Sequence, residues 1–244
     1  MTSIPADINK TISPSDLPRP EVAQQVQALN RFGRQLWWKR VPYAVNGALR
    51  MRFRHIRWHK SWEYARGLAY GNFQPGMRVL DFGGGATIPL FYLTRNGCEV
   101  LSLDINQELT DHTNAVAKQM GWKLKGSTFD LTTREAPTEW GQFDRVISFC
   151  VIEHIPKQLQ QRALQRLAGL LKPGGLFELT FDFGENAPVE GAIRSVAEVG
   201  EMIAATGLSP LGDGRFHDTG ERFTLDKRHA DCQFTFGSLF LVKQ

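Results

Sequence analysis

Several features are missing from this sequence of 244 residues, and each absence excludes a class of protein. No apolar run approaches the roughly 20 residues that a membrane-spanning helix needs. Residues 1–20 lack the apolar centre of a secretory signal, and they contain Pro5, Pro14, Pro18 and Pro20. We therefore predict a soluble protein without a transmembrane segment, in which residues 1–20 form a flexible tail.

Cysteine is scarce as well. The three cysteines, Cys98, Cys150 and Cys232, are odd in number and far apart, and none has C-x-x-C spacing. This pattern excludes a disulfide framework and the common metal and redox motifs. It predicts reduced thiols and a cytoplasmic location.

Acidic residues are nearly absent from one stretch, where Glu63 is the only acid between Arg31 and Arg66. Ten basic residues occur there: Arg31, Arg34, Lys39, Arg40, Arg50, Arg52, Arg54, Arg57, Lys60 and Arg66. Eight aromatic residues lie among them: Phe32, Trp37, Trp38, Tyr43, Phe53, Trp58, Trp62 and Tyr64. Such a stretch can bind nucleic acid, an anionic membrane surface or an acidic substrate. It can equally form a lid of amphipathic helices whose cations face water, and both interpretations stay open.

The periodicity of the chain changes near residue 77. Residues 21–72 look helical, with breaks at Val41-Pro42 and Asn46-Gly47, and we predict a helical cap there. Beyond it, β-rich runs at 77–82, 99–103, 122–129, 143–149, 176–181, 208–211 and 232–242 alternate with helical runs at 86–96, 107–120, 157–171 and 195–206. This alternation predicts an α/β catalytic domain over residues 73–244 with a mostly parallel sheet.

The first predicted strand runs into the stretch RVLDFGGGATIPLFYL, residues 78–93. Asp81 ends the apolar run, and Gly83, Gly84 and Gly85 follow it. Glycines let the backbone turn tightly and let a ligand approach without meeting side chains. In a parallel sheet the ligand lies beyond the carboxyl ends of the strands. A nucleotide-like ligand is therefore predicted here.

The residues around the glycines discriminate between nucleotides. A dinucleotide fingerprint needs a third glycine where this chain has Ile88, and a P-loop needs a Gly-Lys-Ser/Thr ending that is absent. The carboxylate of Asp81 would repel a pyrophosphate. It suits a ligand that carries a cation, and S-adenosylmethionine carries an ammonium and a sulfonium.

Five motifs in order resemble the class I S-adenosylmethionine-dependent methyltransferases, a resemblance that covers about residues 60–185. The segment 81–86, DFGGGA, resembles the family's first motif, D/E-x-G-x-G-x. Asp104 ends the second strand, 21 residues after Gly83, and Asp130 follows the third strand. The segment 144–155 resembles the fourth-strand region, which often ends in Glu-His-Ile, and 171–176 resembles the turn before the fifth strand.

The resemblance implies a fold, a cofactor and a set of site residues. The fold would be a Rossmann-like seven-stranded sheet, mostly parallel with an antiparallel last strand, with helices on both faces. The cofactor would be S-adenosylmethionine, with S-adenosylhomocysteine as product. In the family the acid matched by Asp104 takes the ribose hydroxyls, and the acid matched by Asp130 meets the adenine amino group. The implied cofactor-binding residues are Asp81, Gly83, Gly84, Gly85, Asp104, Ile105, Asp130, Leu131 and Cys150.

Methyl transfer from a sulfonium is an in-line displacement, so the protein mainly positions the acceptor and, for a hydroxyl, removes a proton. His154 follows the fourth strand and is the candidate general base, since a histidine can titrate near neutral pH. Residues 148–151 lack the Asn/Asp-Pro-Pro-Tyr/Phe and Pro-Cys signatures of nucleic-acid base methylases. The predicted acceptor is an oxygen or nitrogen of a small-molecule, glycan-linked or lipid-linked compound.

Alternative functions use the same residues differently. The basic aromatic stretch could serve an RNA or other nucleic-acid methyltransferase, a non-catalytic adaptor, or another anionic partner. A nicotinamide-dependent oxidoreductase is disfavoured by Ile88 and Asp81. His55, His59 and Glu63 have the spacing of one helical face, but no fourth ligand is evident, so we predict no metal site.

Overall fold

The computed structural model describes residues 3–51, 55–225 and 227–244, so Arg52, Phe53 and Arg54 of the basic aromatic stretch lie outside the described residues. The chain divides into two compact units, Ser15–Asp130, and Met1–Pro14 with Leu131–Gln244. These bounds differ from the expected ones at residues 20 and 72.

The strands of the described ranges are β1 (Lys10–Thr11), β2 (Tyr43–Val45), β3 (Ala48–Arg50), β4 (Arg78–Phe82), β5 (Glu99–Asp104), β6 (Leu124–Thr128), β7 (Phe143–Phe149), β8 (Leu171–Phe183), β9 (Ser209–Pro210) and β10 (Thr235–Val242). The helices are α1 (Pro20–Trp38), α2 (Trp58–Tyr70), α3 (Ile88–Arg95), α4 (Gln107–Met120), α5 (Lys157–Gly169) and α6 (Val196–Thr206).

The unit Ser15–Asp130 contains three parallel strands. β5 pairs with β4 on one side and with β6 on the other, so the carboxyl ends of all three meet at one edge. The interior of β5 is buried, which explains its nearly continuous apolar sequence. Helix α4 follows β5, capped at its start by the Asn106 side chain and ended by Gly121 in the left-handed region.

The unit with Leu131–Gln244 contains the antiparallel last strand. β7 pairs in parallel with β8, and β10 pairs antiparallel with β8 from Thr235↔Phe183 to Val242↔Leu176. β9 pairs with β10, as the pattern at 208–211 predicts. The prediction of a Rossmann-like α/β fold with a mostly parallel sheet and an antiparallel last strand is confirmed. None of the helices among the described residues combines the length and apolarity needed to cross a bilayer.

Part of the segment expected to form a flexible tail, residues 8–12, is packed against the rest of its unit. Ile8 and Ile12 are fully buried, and between them β1 pairs with the outer side of β10. The Asn9 side chain donates a hydrogen bond to the carbonyl oxygen of Leu211 and accepts one from the N–H of Phe240, both at 2.7 Å. Residues 8–12 therefore differ from the flexible tail expected over 1–20, because two apolar side chains and a strand edge hold them.

The cap predicted over residues 21–72 consists of two helices with a hairpin between them. The hairpin β2–β3 turns at Asn46 and Gly47, both with positive φ, as the Asn-Gly pair of a type I′ turn requires. Helices α1 and α2 run antiparallel: Tyr70 at the end of α2 donates a hydrogen bond to Glu21 at the start of α1. The sequence break at Asn46-Gly47 is thus a strand turn, which the helical prediction missed.

One predicted turn is part of a strand. Residues 172–175, read as a turn before the fifth strand, lie within β8. The register shifts there, since Phe143 pairs with Leu171 and Arg145 with Leu176. Gly174 adopts a positive φ and donates to the carbonyl oxygen of Lys243. The glycines therefore produce a bulge in the strand rather than its boundary.

Candidate active site

The glycine loop after β4 is shaped by two acids. Gly83 has a φ of +76° and donates its N–H to the carbonyl oxygen of Leu103 at 2.7 Å. A Cβ on Gly84 would lie 2.2 Å from Oδ1 of Asp81, and one on Gly85 would lie 2.9 Å from Oδ2 of Asp104. Glycine is therefore required at residues 84 and 85 because the two carboxylates pack against the backbone there. This requirement holds whether or not a ligand also approaches the loop.

The carboxyl group of Asp81 is nearly enclosed, with 2% of the residue exposed. Its Oδ2 accepts a hydrogen bond from the Ser102 hydroxyl at 2.7 Å. The pKa of Asp81 is raised to about 7: burial is the largest cause and the negative charge of Asp104 adds to it, whereas the hydrogen bonds from Ser102 and from the Gly84 backbone act in the opposite direction. A positive charge brought near Asp81 would stabilise its ionised form.

Asp104 connects the loop to the edge of the sheet. Its Oδ1 accepts the N–H of Asn106 at 2.9 Å, and its Oδ2 accepts the N–H of Gly85 at 3.3 Å. Its carbonyl oxygen accepts the N–H of Phe129, the residue before Asp130, at 3.0 Å. Asp81, Asp104, Asp130 and the glycines are thus brought to one edge, at the carboxyl ends of β4, β5 and β6.

Ile105 leaves an apolar surface next to these acids. It is 76% exposed, the highest fraction of any large hydrophobic residue in the described part of the chain. It directly follows Asp104, so its side chain lies at the edge where the acids meet. A flat apolar ligand could cover this side chain.

The loop has supports that the motif does not contain. Ala86 has a positive φ and donates its N–H to the buried hydroxyl of Thr113 at 2.9 Å. Its carbonyl oxygen accepts the N–H of Ala44, in strand β2 of the hairpin, at 2.7 Å. Sequence reasoning missed Thr113 and Ser102, although a serine inside the apolar run Val100–Leu103 was a usable signal.

The segment after β7 belongs to the other unit. Cys150 is half-buried with φ +52°, and its N–H donates to the carbonyl oxygen and the hydroxyl of Thr180 at 3.0 and 3.1 Å. The ligand atoms of Cys150, Glu153 and Asp182 lie within 4.8 Å of one another. Two buried carboxylates and a thiol favour a cation or a hydrogen-bond donor at this point.

His154 is exposed at the end of a 3-10 turn that spans Ile152–His154. The turn is held by the buried amide of Gln160, which donates to the carbonyl oxygens of Ile152, Ile155 and Gly191 at 3.0, 3.1 and 2.7 Å. Sequence reasoning missed Gln160, which lies on the otherwise apolar face of α5. The candidate base His154 therefore lies on a turn that three hydrogen bonds from Gln160 hold in place.

Two other sequence expectations look different in the structure. Leu131 is fully buried, and its carbonyl oxygen accepts a hydrogen bond from Arg166 at 2.8 Å. His55 precedes α2, which begins at Trp58, so His55, His59 and Glu63 do not share one helical face. Glu63 is buried and paired with Lys60 at 2.9 Å.

A known family matches the part of the chain that carries these residues. The family described as a methyltransferase domain matches residues 79–175, from the glycine loop through His154. This match supports the resemblance to the class I S-adenosylmethionine-dependent methyltransferases over residues 79–175, the part of the chain that it covers. The motif residues at 81–86, 104 and 130 build the edge at the carboxyl ends of β4, β5 and β6, and the motif segment 144–155 lies in the other unit.

Individual relatives are more distant. The tRNA U34 carboxymethyltransferase of Chromohalobacter salexigens is 28% identical over 202 residues, which cover 78% of this chain and 56% of that protein. A ubiquinone biosynthesis O-methyltransferase of Xanthomonas campestris pv. campestris is 32% identical over 149 residues, 59% of this chain and 56% of that protein. The chain thus spans about half the length of the curated relatives it matches.

A solved structure supports the fold. Magnesium protoporphyrin IX methyltransferase (ChlM) from Synechocystis PCC 6803, solved with bound S-adenosylmethionine, superposes with a TM-score of 0.55 and 18% identity. The alignment covers 92% of this chain and 97% of that one. At this identity the likeness establishes a shared fold, not a shared acceptor.

Proposed function

We propose that this protein transfers a methyl group from S-adenosylmethionine to an oxygen or nitrogen of a small-molecule acceptor, with S-adenosylhomocysteine as product. The observation that carries the proposal is the loop in which Gly84 and Gly85 lie against the carboxylates of Asp81 and Asp104. A glycan-linked or lipid-linked acceptor belongs to the same proposal, since the reacting atom is the same.

The residues at the sheet edge suit this cofactor. Asp104 offers carboxylate oxygens to ribose hydroxyls, Ile105 offers an apolar surface to adenine, and Asp130 follows the neighbouring strand. The carboxylate of Asp81 beside the loop opposes a pyrophosphate, and Ile88 stands where a dinucleotide fingerprint needs its third glycine, which argues against a nicotinamide dinucleotide. Leu131 and Cys150 complete the proposed cofactor residues.

The chain's own residues would then position the acceptor and move its proton. The cofactor, when bound, supplies an electrophilic methyl group. For a hydroxyl acceptor, His154 would take the proton on a ring nitrogen, and Gln160 would hold the turn that carries it. The carboxylates of Glu153 and Asp182 can accept hydrogen bonds. They therefore favour a methyl-accepting molecule that carries O–H or N–H groups.

Replacement of His154 by alanine tests the proposed base. Turnover should fall about 10²-fold or more, because a general base contributes that much, while cofactor affinity stays unchanged. The measurement is the labelled methyl group transferred from S-adenosylmethionine to panels of phenols, sugars and amines. His229→Ala, which removes another exposed histidine, is the matched control.

The two parts of the proposal fail separately. An unchanged rate in His154→Ala would remove that residue from the role of base. Absence of labelled product with every acceptor class, in protein that binds the cofactor, would contradict methyl transfer itself.

A further inference from the structure

One end of the α1–α2 pair gathers exposed apolar side chains. The helices are antiparallel, since Tyr70 contacts Glu21 and the N–H of Ile56 donates to the Asn30 side chain at 3.1 Å. The end of α1 and the start of α2 therefore lie at the same end of the pair. The hairpin β2–β3 connects the two helices there.

Five of the eight exposed large hydrophobic residues in the described part of the chain lie at this end. They are between 39% and 72% exposed: Trp37, Trp38, Val45, Met51 and Trp58. Trp37 and Trp38 also pack edge to face, with ring centroids 5.2 Å apart. Clustered exposed hydrophobic residues mark a contact surface, whereas scattered single ones do not.

Within the described residues 31–66, the exposed charges have one sign. Six exposed cations lie in the same segments as the cluster: Arg31, Arg34, Lys39, Arg40, Arg50 and Arg57. Among the described residues 31–66, the one acid is Glu63, which is buried and paired with Lys60. The surface is therefore apolar at its centre and positive around it.

We propose that this surface, called here the aromatic basic end and defined by the five hydrophobic residues and six cations above, binds the face of an anionic lipid bilayer. Tryptophan favours the membrane–water interface, and each Lys or Arg near an anionic surface adds attraction. The exposed tryptophan pair and the aliphatic Val45 and Met51 suit shallow insertion into a bilayer better than stacking of bases, because bases stack on aromatic rings and not on aliphatic side chains.

The hairpin also links this surface to the glycine loop. Ala44 donates its N–H to the carbonyl oxygen of Ala86 at 2.7 Å, and the next residue, Val45, is exposed. His112 contacts the carbonyl oxygen of Pro42 at 2.9 Å and fixes the same base. A bilayer bound at the aromatic basic end would therefore lie on the side of the molecule that carries the loop.

Co-sedimentation with vesicles tests the charge component. Vesicles of phosphatidylcholine alone are compared with vesicles that contain about one third phosphatidylglycerol. The variant Lys39→Gln/Arg50→Gln/Arg57→Gln should bind the anionic vesicles about a hundredfold more weakly than the parent protein. Lys118→Gln/Lys125→Gln/Arg162→Gln removes the same charge from exposed positions elsewhere and should bind nearly as the parent protein does.

The apolar component is tested by Trp38→Ser. This side chain is 72% exposed and contributes nothing to the buried core, and vesicle affinity should fall about tenfold on its loss. Val196→Ser, at another exposed apolar position, should leave affinity unchanged. Tryptophan emission should shift to shorter wavelength on binding in the parent protein, and by less in Trp38→Ser.

Several outcomes would overturn the proposal. These are equal binding to neutral and anionic vesicles, an equal loss in both triple variants, or salt-sensitive binding of single-stranded RNA without vesicle binding. Melting curves of all variants verify the fold. Because no S-adenosylmethionine is present, failure here leaves the proposed methyl transfer untouched.

Discussion

At the scale of single residues, Asp81 shows how burial and charge act together. Its carboxyl group lies between the Ser102 hydroxyl and the Gly84 backbone, and burial raises its pKa from the ordinary value of 3.8 to about 7. Between these values the folded state binds more protons than the unfolded state does. Ionised Asp81 therefore destabilises the fold, and the site is better suited to a bound cation than to an unliganded carboxylate.

The pH dependence of stability tests whether the pKa of Asp81 is raised in the folded state. The free energy of unfolding contributed by Asp81 should fall as pH rises from about 4 to about 7, then level off. Asp81→Asn keeps a partner for Ser102 and should remove that fall. Denaturant titrations of both proteins across this range give the difference. A difference that grows as pH falls below 4 would contradict the raised pKa.

Glycine at residue 84 is tested by adding one methyl group. Gly84→Ala places a Cβ against Asp81, so we expect a loss of about 1–3 kcal/mol in stability and weaker cofactor binding. Gly200→Ala, in α6 with open space around it, is the control and should gain up to about 1 kcal/mol. Equal effects in the two variants would show that the Asp81 contact is unimportant.

At the scale of elements, buried Asp16 holds α1 and α2 together. Its Oδ2 accepts a hydrogen bond from Trp62 at 2.9 Å and lies 3.6 Å from the Arg66 guanidinium, which stacks 4.5 Å over the Trp62 ring. Arg19 pairs with its other oxygen. The aromatic basic end therefore rests on a pair of helices joined by buried charge.

Removal of this carboxylate should loosen the pair strongly. Asp16→Ala leaves the buried guanidinium of Arg66 without that anion, and we expect a loss of about 3–5 kcal/mol in the free energy of unfolding. Glu99→Ala breaks an exposed pair with Lys123, which water and salt screen, and should leave the free energy of unfolding nearly unchanged. Thermal and urea unfolding measure both, and similar losses would contradict the role of Asp16.

At the scale of the whole molecule, the periodic pattern of apolar residues in the sequence predicted the long strands and helices and missed the short strands. Strand β5 has a buried interior and β7 has a buried run at residues 146–148, and the bounds of both were predicted almost to the residue. The hairpin strands have three residues each and β1 has two, too few to show alternation. Ile8 and Ile12 were the available sign of packing near the N-terminus.

The residues of the candidate site also fall into a group that the sequence predicted and a group that it missed. Asp81, the glycines and Asp104 follow strand ends, and a motif that lies along the chain identifies them. Ser102, Thr113 and Gln160 act on residues that are distant in sequence, so only the fold brings them into contact. A polar residue inside an apolar run or on an apolar helix face is the signal that such partners leave in the sequence.

Calorimetric titration with S-adenosylmethionine, S-adenosylhomocysteine and NADH tests the central claim most directly. We predict micromolar binding of the first two, its loss in Asp104→Ala, and its retention in Asp111→Ala, which removes an exposed acid from α4. Binding of NADH alone, or an Asp104→Ala protein that binds S-adenosylmethionine as the parent does, would contradict the assignment of this edge as the cofactor site.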